Sequence, residues 1–320
     1  MLLLTGLVLS LCFPLVFEKP YLFSLIIPGL ILSVSCMGWN TIVRTGQFSL
    51  GQSAFMAIGA YGSTLLANEL HFSIWISMLL GGLASALIAF LLGIVVLRLG
   101  GIYFAIVTLA FGEIIRVIAT NLTSITKGSY GLIPQAPSLS LGDFSINFVA
   151  SKVPYYYLAL LLVSISGLVF WRIDRSRLGR IYRSIASNST LAEHSGIHLM
   201  KYRVMAFTVA GFFTGLAGVL YSHYLFFIGP TLFGLEKSFM ILIMCTVGGT
   251  GSAVAGPIIG ALILSASGDY LSGLLMGAKP LVFGILVVII VFFYYGGLVE
   301  LPRSVWNVMT RHNGTAKSRT

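Results

Sequence analysis

The sequence predicts an all-α polytopic membrane protein with about 8–10 transmembrane helices, some broken or re-entrant at glycine-rich segments. Three observations carry that prediction. Of 320 residues, 57% are hydrophobic and only 9% charged, with mean hydropathy +0.98; soluble domains carry about 25% charged residues. The apolar residues fall into runs of about 20, the length a helix needs to cross the hydrocarbon core. The net charge of +10 gathers at the ends of those runs and in one loop, where it sets topology. It is not the footprint of a nucleic-acid surface.

Taken in order, the candidate spans are residues 2–17, 21–43, 47–67, 73–97, 101–120, 154–171, 204–227 and 280–297. The Leu-rich start has no basic n-region, and Phe17-Glu-Lys-Pro20 offers no small-residue cleavage site, so it reads as a span rather than a removed signal peptide. A further apolar region, 238–272, is too long for one straight helix and is broken by Gly248-Gly-Thr-Gly-Ser252. If it enters and returns as a broken pair, the amino terminus, Arg44, Arg98, the loop 172–203 and the tail from Arg303 all share one side. Thirteen Lys/Arg then lie inside and five outside, with Arg116 within a span. A single crossing would put the basic tail outside, so the broken pair is preferred. The chain is read as one membrane domain, 1–302, with a short basic tail, 303–320.

Four stretches interrupt the apolar pattern. Gly46-Gln-Phe-Ser-Leu-Gly51-Gln52 carries glycine, Ser and Gln into a span, which allows close helix approach, non-helical backbone or the lining of a route. Glu113 and Arg116 are three residues apart, hence neighbours on one helix face, and intramembrane charge points to function. Arg116 is also near enough to the outer boundary to snorkel, leaving a structural pair as the alternative. The external loop 122–152 is polar and turn-rich, and at about 30 residues it exceeds ordinary loop lengths. It is a candidate docking face for an extracytoplasmic partner. The loop from Arg172 to Arg203 holds seven Lys/Arg against Asp174 and Glu193, which places it in the cytoplasm. Within it Thr190-Leu-Ala-Glu193 reads as a capping box and Gly196 as a terminator. A capped helix this short reads as a handle for another protein, with Ala192 leaving a small surface for a partner's groove.

Further along, Gly211, Gly215 and Gly218 form a small-residue face for helix packing. Gly251-Ser-Ala-Val-Ala-Gly256-Pro-Ile-Ile-Gly260 loosely echoes the glycine spacing of 46–60. Enzyme signatures are missing. There is no HExxH and no GxSxG with triad partners, and His71, His194, His198, His223 and His312 are scattered. Gly229-Pro-Thr-Leu-Phe-Gly234 starts like a P-loop, but Leu235 and Glu236 separate it from Lys237, and the motif needs Lys directly after the second Gly. Cys12, Cys36 and Cys245 sit in apolar runs with no CxxC pair, so no disulfide framework or metal site is expected.

The stretches Gly46–Tyr61, Thr108–Glu113, Ala192–Ile197, Ala206–Tyr221 and Val247–Ala261 resemble, in the same order, inner-membrane permeases of branched-chain amino acid ABC importers, and more narrowly their M-type subunit. The resemblance spans about residues 30 to 297 and implies the all-helical importer-permease fold. It also implies a heterodimer with a second related permease, two cytoplasmic ATPase subunits and a periplasmic or extracytoplasmic solute-binding protein. ATP and Mg²⁺ would sit on the ATPases, with no cofactor on this chain. Thr190, Ala192, Glu193 and Gly196 match the short helix that couples such permeases to their ATPases, although Thr190, Leu191 and His194 depart from many relatives. Gly46, Gln47, Ser49, Gly51, Gln52, Glu113, Gly248, Gly249 and Gly251 are the candidate translocation-pathway residues. The family also moves urea, short amides and other small solutes. An ion-coupled secondary transporter is the competing class, but it calls for more buried Asp/Glu/His than Glu113 and Asp269 supply. A membrane-embedded enzyme lacks any catalytic constellation.

Overall fold

The computed structural model describes residues 20–141, 144–148 and 151–274. The expected spans 2–17 and 280–297 and the basic tail lie outside the described residues. The chain forms α1 (Pro20–Val43), α2 (Gln52–Asn68), α3 (Ile74–Val96) and α4 (Gly101–Asn121). A helical turn and a 3₁₀ turn then lead into the hairpin β1 (Ser138–Leu141) and β2 (Phe144–Asn147), paired antiparallel. After it come α5 (Val153–Arg175), α6 (Arg177–Ser187), α7 (Ser189–His194), α8 (Leu199–Leu225), α9 (Leu235–Gly248) and α10 (Ala255–Leu274). Six helical segments among the described residues are long and apolar enough to cross a membrane: α1, α3, α4, α5, α8, and α9 with the 3₁₀ turn before it.

Two helices make the centre. The apolar windows of α1 and α8 are each 72% buried, against 33% for α3 and 28% for α4. The α1 helix is buried because neighbours pack on two of its sides. Its Ile27, Ile31 and Val34 pack with α5 and α8 residues such as Ala159 and Leu220, while Leu32, Cys36 and Trp39 pack with α2 and α9. The outer helices instead expose Leu83, Leu87, Ile102 and Ile106, side chains that suit hydrocarbon.

Glycine sets the spacing between α2, α3 and α8. A Cβ on Gly59 would lie 2.3 Å from the Gly215 carbonyl oxygen, and one on Gly218 2.1 Å from that of Met56. On Gly211 it would meet Ala89 Cβ at 2.4 Å. The glycine face expected at 211, 215 and 218 is therefore a close-contact surface, against Ala89 and Ser85 side chains and the Met56 main chain. Ser85 seals it by donating to the Gly211 carbonyl at 2.9 Å.

The broken pair is present. α9 ends at Gly249, whose φ of 103° only glycine adopts freely, and α10 runs back beside α9. Its apex, 249–254, joins the end of the molecule that carries Arg44, because Arg44 donates to the carbonyls of Thr250 and Gly251. That is the arrangement the charge distribution requires. At the opposite end Leu132 pairs with Ile228, and Asn68 donates to the Ile133 carbonyl.

Three expectations change. The span 47–67 begins later, at Gln52, because residues 47–51 are non-helical and only 17 residues remain. The segment 172–203 is almost wholly helical rather than a loop with one short helix. The external segment 122–152 carries a hairpin instead of a plain turn-rich loop.

Candidate functional site

The basic end is built from α5, α6 and α7. The α5 helix stops at Ser176, whose extended backbone forms an elbow and whose Oγ accepts from Leu178 N at 3.1 Å to start α6. Gly179 permits the tight return, since a Cβ there would lie 2.2 Å from the Asp174 carbonyl oxygen. The α6 helix buries Gly179, Tyr182 and Ile185 and leaves Arg177, Arg180 and Arg183 exposed. Burial pushes the Tyr182 phenol up to about 12.

The α7 helix is capped by Asn188, whose side chain accepts from Leu191 N at 3.0 Å. The capping box expected from Thr190 and Glu193 does not form, because Asn188 already occupies the cap and Thr190 lies inside the helix. Gly196 does end it. With φ 82° it donates to the Glu193 carbonyl while Ile197 N donates to that of Ala192, the paired bonds of a Schellman motif. A second correction concerns orientation. Ala192 is 2% exposed and faces the chain's own packing, so it offers no surface to a partner. Leu191, 65% exposed, is the apolar side chain that α7 presents outward, beside Thr190, Glu193 and His194.

Arg44, immediately after α1, is the junction of this end. Its Nη1 donates to Asp174 Oδ1 at 2.5 Å, and its Nη2 to the carbonyls of Thr250 and Gly251 at 2.9 and 2.8 Å. Arg183 of α6 donates to the same Asp174 oxygen at 2.7 Å. Burial lowers the Arg44 guanidinium from its ordinary value and the Asp174 charge opposes that shift. Asn40, one turn earlier, donates to the Ser252 carbonyl at 2.7 Å. Sequence reading used Arg44 only to set topology and missed this junction. The available signal was a carboxylate, Asp174, at the same end of a neighbouring span.

The candidate pathway residues separate into two groups. Gln47, Ser49, Gly51 and Gln52 are buried within the chain. Trp39 Nε1 donates to the Ser49 carbonyl at 2.7 Å, and Leu50 N to Thr108 Oγ1 at 3.0 Å. A Cβ on Gly51 would lie 2.7 Å from the Thr108 carbonyl oxygen. Gln52 Oε1 accepts from the Thr214 hydroxyl at 3.0 Å. The first turn of α2 meets that of α9 where Ser53 N and Ser238 Oγ bond at 3.0 Å. Gly248 and Gly249 are likewise buried, and a Cβ on Gly248 would lie 1.9 Å from the Gly256 carbonyl oxygen. These residues hold the two helix breaks in shape. The second group is not buried: Gly46, which passes against Ala186 of α6 with φ 75°, and Gly251 at the apex are exposed, and Glu113 is half-buried.

On α4, Arg116 Nε donates to Glu113 Oε1 at 2.8 Å, and Nη2 bonds the same oxygen. The two side chains are 34% and 37% exposed, on a helix long and apolar enough to span. Arg116 also approaches Gly234, just before α9. Each charge of this half-buried pair is neutralised by the other on one helix face.

Residues 21–293 match the family model described as branched-chain amino acid transport system / permease component. The high-affinity branched-chain amino acid transport system permease protein LivM of Salmonella typhimurium is 34% identical over 288 residues, 83% of this chain and 67% of that protein. LivM of Escherichia coli is 33% identical over 302 residues, 88% of this chain and 70% of that protein. More distantly, the L-arabinose ABC transporter permease protein AraH of Azospirillum brasilense is 26% identical over 77% of this chain and 72% of its own length. No solved structure matches the chain. With the matched region running from α1 past α10, the chain belongs to the family of permease components of branched-chain amino acid transport systems.

Proposed function

We propose that this chain is the transmembrane permease subunit of an ABC importer that carries leucine, isoleucine and valine across the bacterial inner membrane. The observation that carries the reading is its 34% identity to a branched-chain amino acid permease over 83% of the chain. In this reading the chain binds no cofactor and hydrolyses nothing. ATP and Mg²⁺ act on two cytoplasmic ATPase subunits, a second related permease completes the membrane unit, and an extracytoplasmic binding protein delivers the solute.

The geometry supports a division of labour. The α7 helix is the coupling element, with Leu191, Thr190 and Glu193 turned toward the ATPase, Gly196 closing the helix and Ala192 anchoring it to the permease. The face of α4 that carries Glu113 and Arg116 borders the route, where a zwitterion meets one charge of each sign. Gln47, Ser49, Gly51, Gln52, Gly248 and Gly249 form the scaffold behind that face.

The test is uptake into proteoliposomes that hold the full complex, with ATP inside and loaded binding protein outside. Labelled leucine should accumulate only with ATP, while urea, acetamide and L-arabinose should not. Uptake of urea or acetamide in place of leucine would replace the substrate assignment. Leucine uptake driven by an ion gradient without ATP would replace the importer class.

A further inference from the structure

Among the described residues Arg44 links three separate elements. Arg44 stands just past α1, its carboxylate partner Asp174 lies in the last turn of α5, and its other acceptors are the apex carbonyls between α9 and α10. The side chains of Arg44 and Asp174 are only 13% and 25% exposed, so solvent screens the pair far less than a surface bridge. Arg183 holds the other side of Asp174 from α6, the helix that leads directly into α7. Thr41, Tyr182, Gly179 and Ala253 line a shallow surface cleft beside the same two charges, where these elements meet.

We propose that Arg44 is a positioning residue for transport, a joint that ties the platform of the α7 helix to the apex of the α9–α10 hairpin. The chemistry demands arginine. A planar guanidinium presents separate N–H groups to a carboxylate on one side and to two carbonyls on the other, whereas an ammonium is a point donor on a flexible stem. The apex lends itself to being moved as a unit. It turns at Gly249 with φ 103° and starts α10 with Ser252 Oγ accepting from Ala255 N at 2.9 Å. A displacement of α6 relative to α1 therefore cannot leave the apex unaffected while the Arg44 bonds persist. The inference rests on the importer reading above, and its test separates the two.

The experiment uses the assembled complex in nanodiscs, with Thr250→Cys as reporter and the same complex without it as background. Wild-type Arg44 must first show ATP hydrolysis stimulated by leucine-loaded binding protein; absence of stimulation there overturns the importer reading and leaves the joint to be judged by labelling alone. Arg44→Lys, Arg44→Gln and Asp174→Asn are then compared with Arg177→Ala, an exposed arginine outside the joint. The expected result is maleimide labelling at Thr250→Cys at least fivefold faster in all three joint variants, and loss of stimulated but not basal hydrolysis. Arg177→Ala should match wild type in both readouts. Assembly is checked by size-exclusion chromatography, and Arg44→Lys keeps the charge if the neutral variants do not assemble. Wild-type labelling and stimulation in Arg44→Lys and Asp174→Asn would overturn the joint. So would faster labelling with stimulation intact, which makes Arg44 a local fastener only.

Discussion

Replacing Gly256 by alanine adds one methyl group where α9 and α10 approach backbone to backbone. The added Cβ would lie 2.0 Å from the Gly249 carbonyl oxygen, and contacts under 3.0 Å do not occur at real Cβ atoms. The helices must therefore separate by about 1 Å at this level, a gap that forfeits dispersion contact along both. The neighbours cannot yield instead: a Cβ on Gly260 would meet the Met244 carbonyl oxygen at 1.9 Å, again main chain. Overpacking usually costs about 1–3 kcal/mol, and obstruction by backbone on both sides puts this case at the top of that range. For a chain of 320 residues that corresponds to a melting shift of roughly 4–5 °C. The assay is thermal unfolding in mild detergent, followed by a thiol-reactive dye that reports exposure of the buried Cys36 and Cys245. Gly100→Ala is the control, because nothing lies within 4 Å of a Cβ there and φ is −110°. Equal melting of Gly256→Ala, Gly260→Ala and wild type would refute the close-packed hairpin.

Three further outcomes are expected. Asn188→Ala should loosen α7 by about 1 kcal/mol, seen as faster limited proteolysis between 188 and 197, while Thr190→Ala leaves the rate unchanged. Leu191→Asp and Gly196→Asp should each abolish solute-stimulated ATP hydrolysis in the full complex with insertion retained. Gly196→Asp adds about 1–2 kcal/mol of backbone strain at φ 82°, and intact stimulation in both variants would refute α7 as the coupling element. Cysteines introduced at Tyr130, 93% exposed, and at His194 should label from opposite sides of the membrane; labelling from one side would overturn the topology.

The spans were legible because lipid leaves apolar runs little choice but helix, and the boundaries at 74–96 and 101–121 fall within a residue or two of the sequence reading. Breaks were legible as glycine clusters, but which glycines pack and which line a surface was not. Gly51 and Gly248 are the same residue type as Gly46 and Gly251, and only their burial in the folded chain tells them apart. The α6 helix was missed because Arg177, Arg180 and Arg183 hid its apolar face, although Leu178, Ile181, Tyr182 and Ile185 recur at helical spacing. Ala192 was placed on the wrong side for a related reason. A small residue signals close approach but not to what, whereas the neighbouring exposed Leu191 is the informative oddity.

The element that escaped the sequence is also the one that joins the two helix breaks. The first break passes the α6 helix at Gly46, where a Cβ would lie 3.3 Å from Ala186 Cα. The second is tied to it through Arg183, Asp174 and Arg44. From Ser187 only Asn188 separates α6 from α7, and that residue is committed to the cap. A helix of six residues is too short to be stable alone. Its position is therefore fixed by α6 and by the packing of Ala192 against the rest of the chain. In the proposed coupling role, load applied at α7 has a short route to both helix breaks, through close packing at Gly46 and through hydrogen bonds at the apex. Those are also the places where repacking is cheapest, because fewer intrahelical hydrogen bonds have to break there. A coupling element wired to helix interiors would have to bend rigid rods; one wired to the breaks only has to turn two hinges.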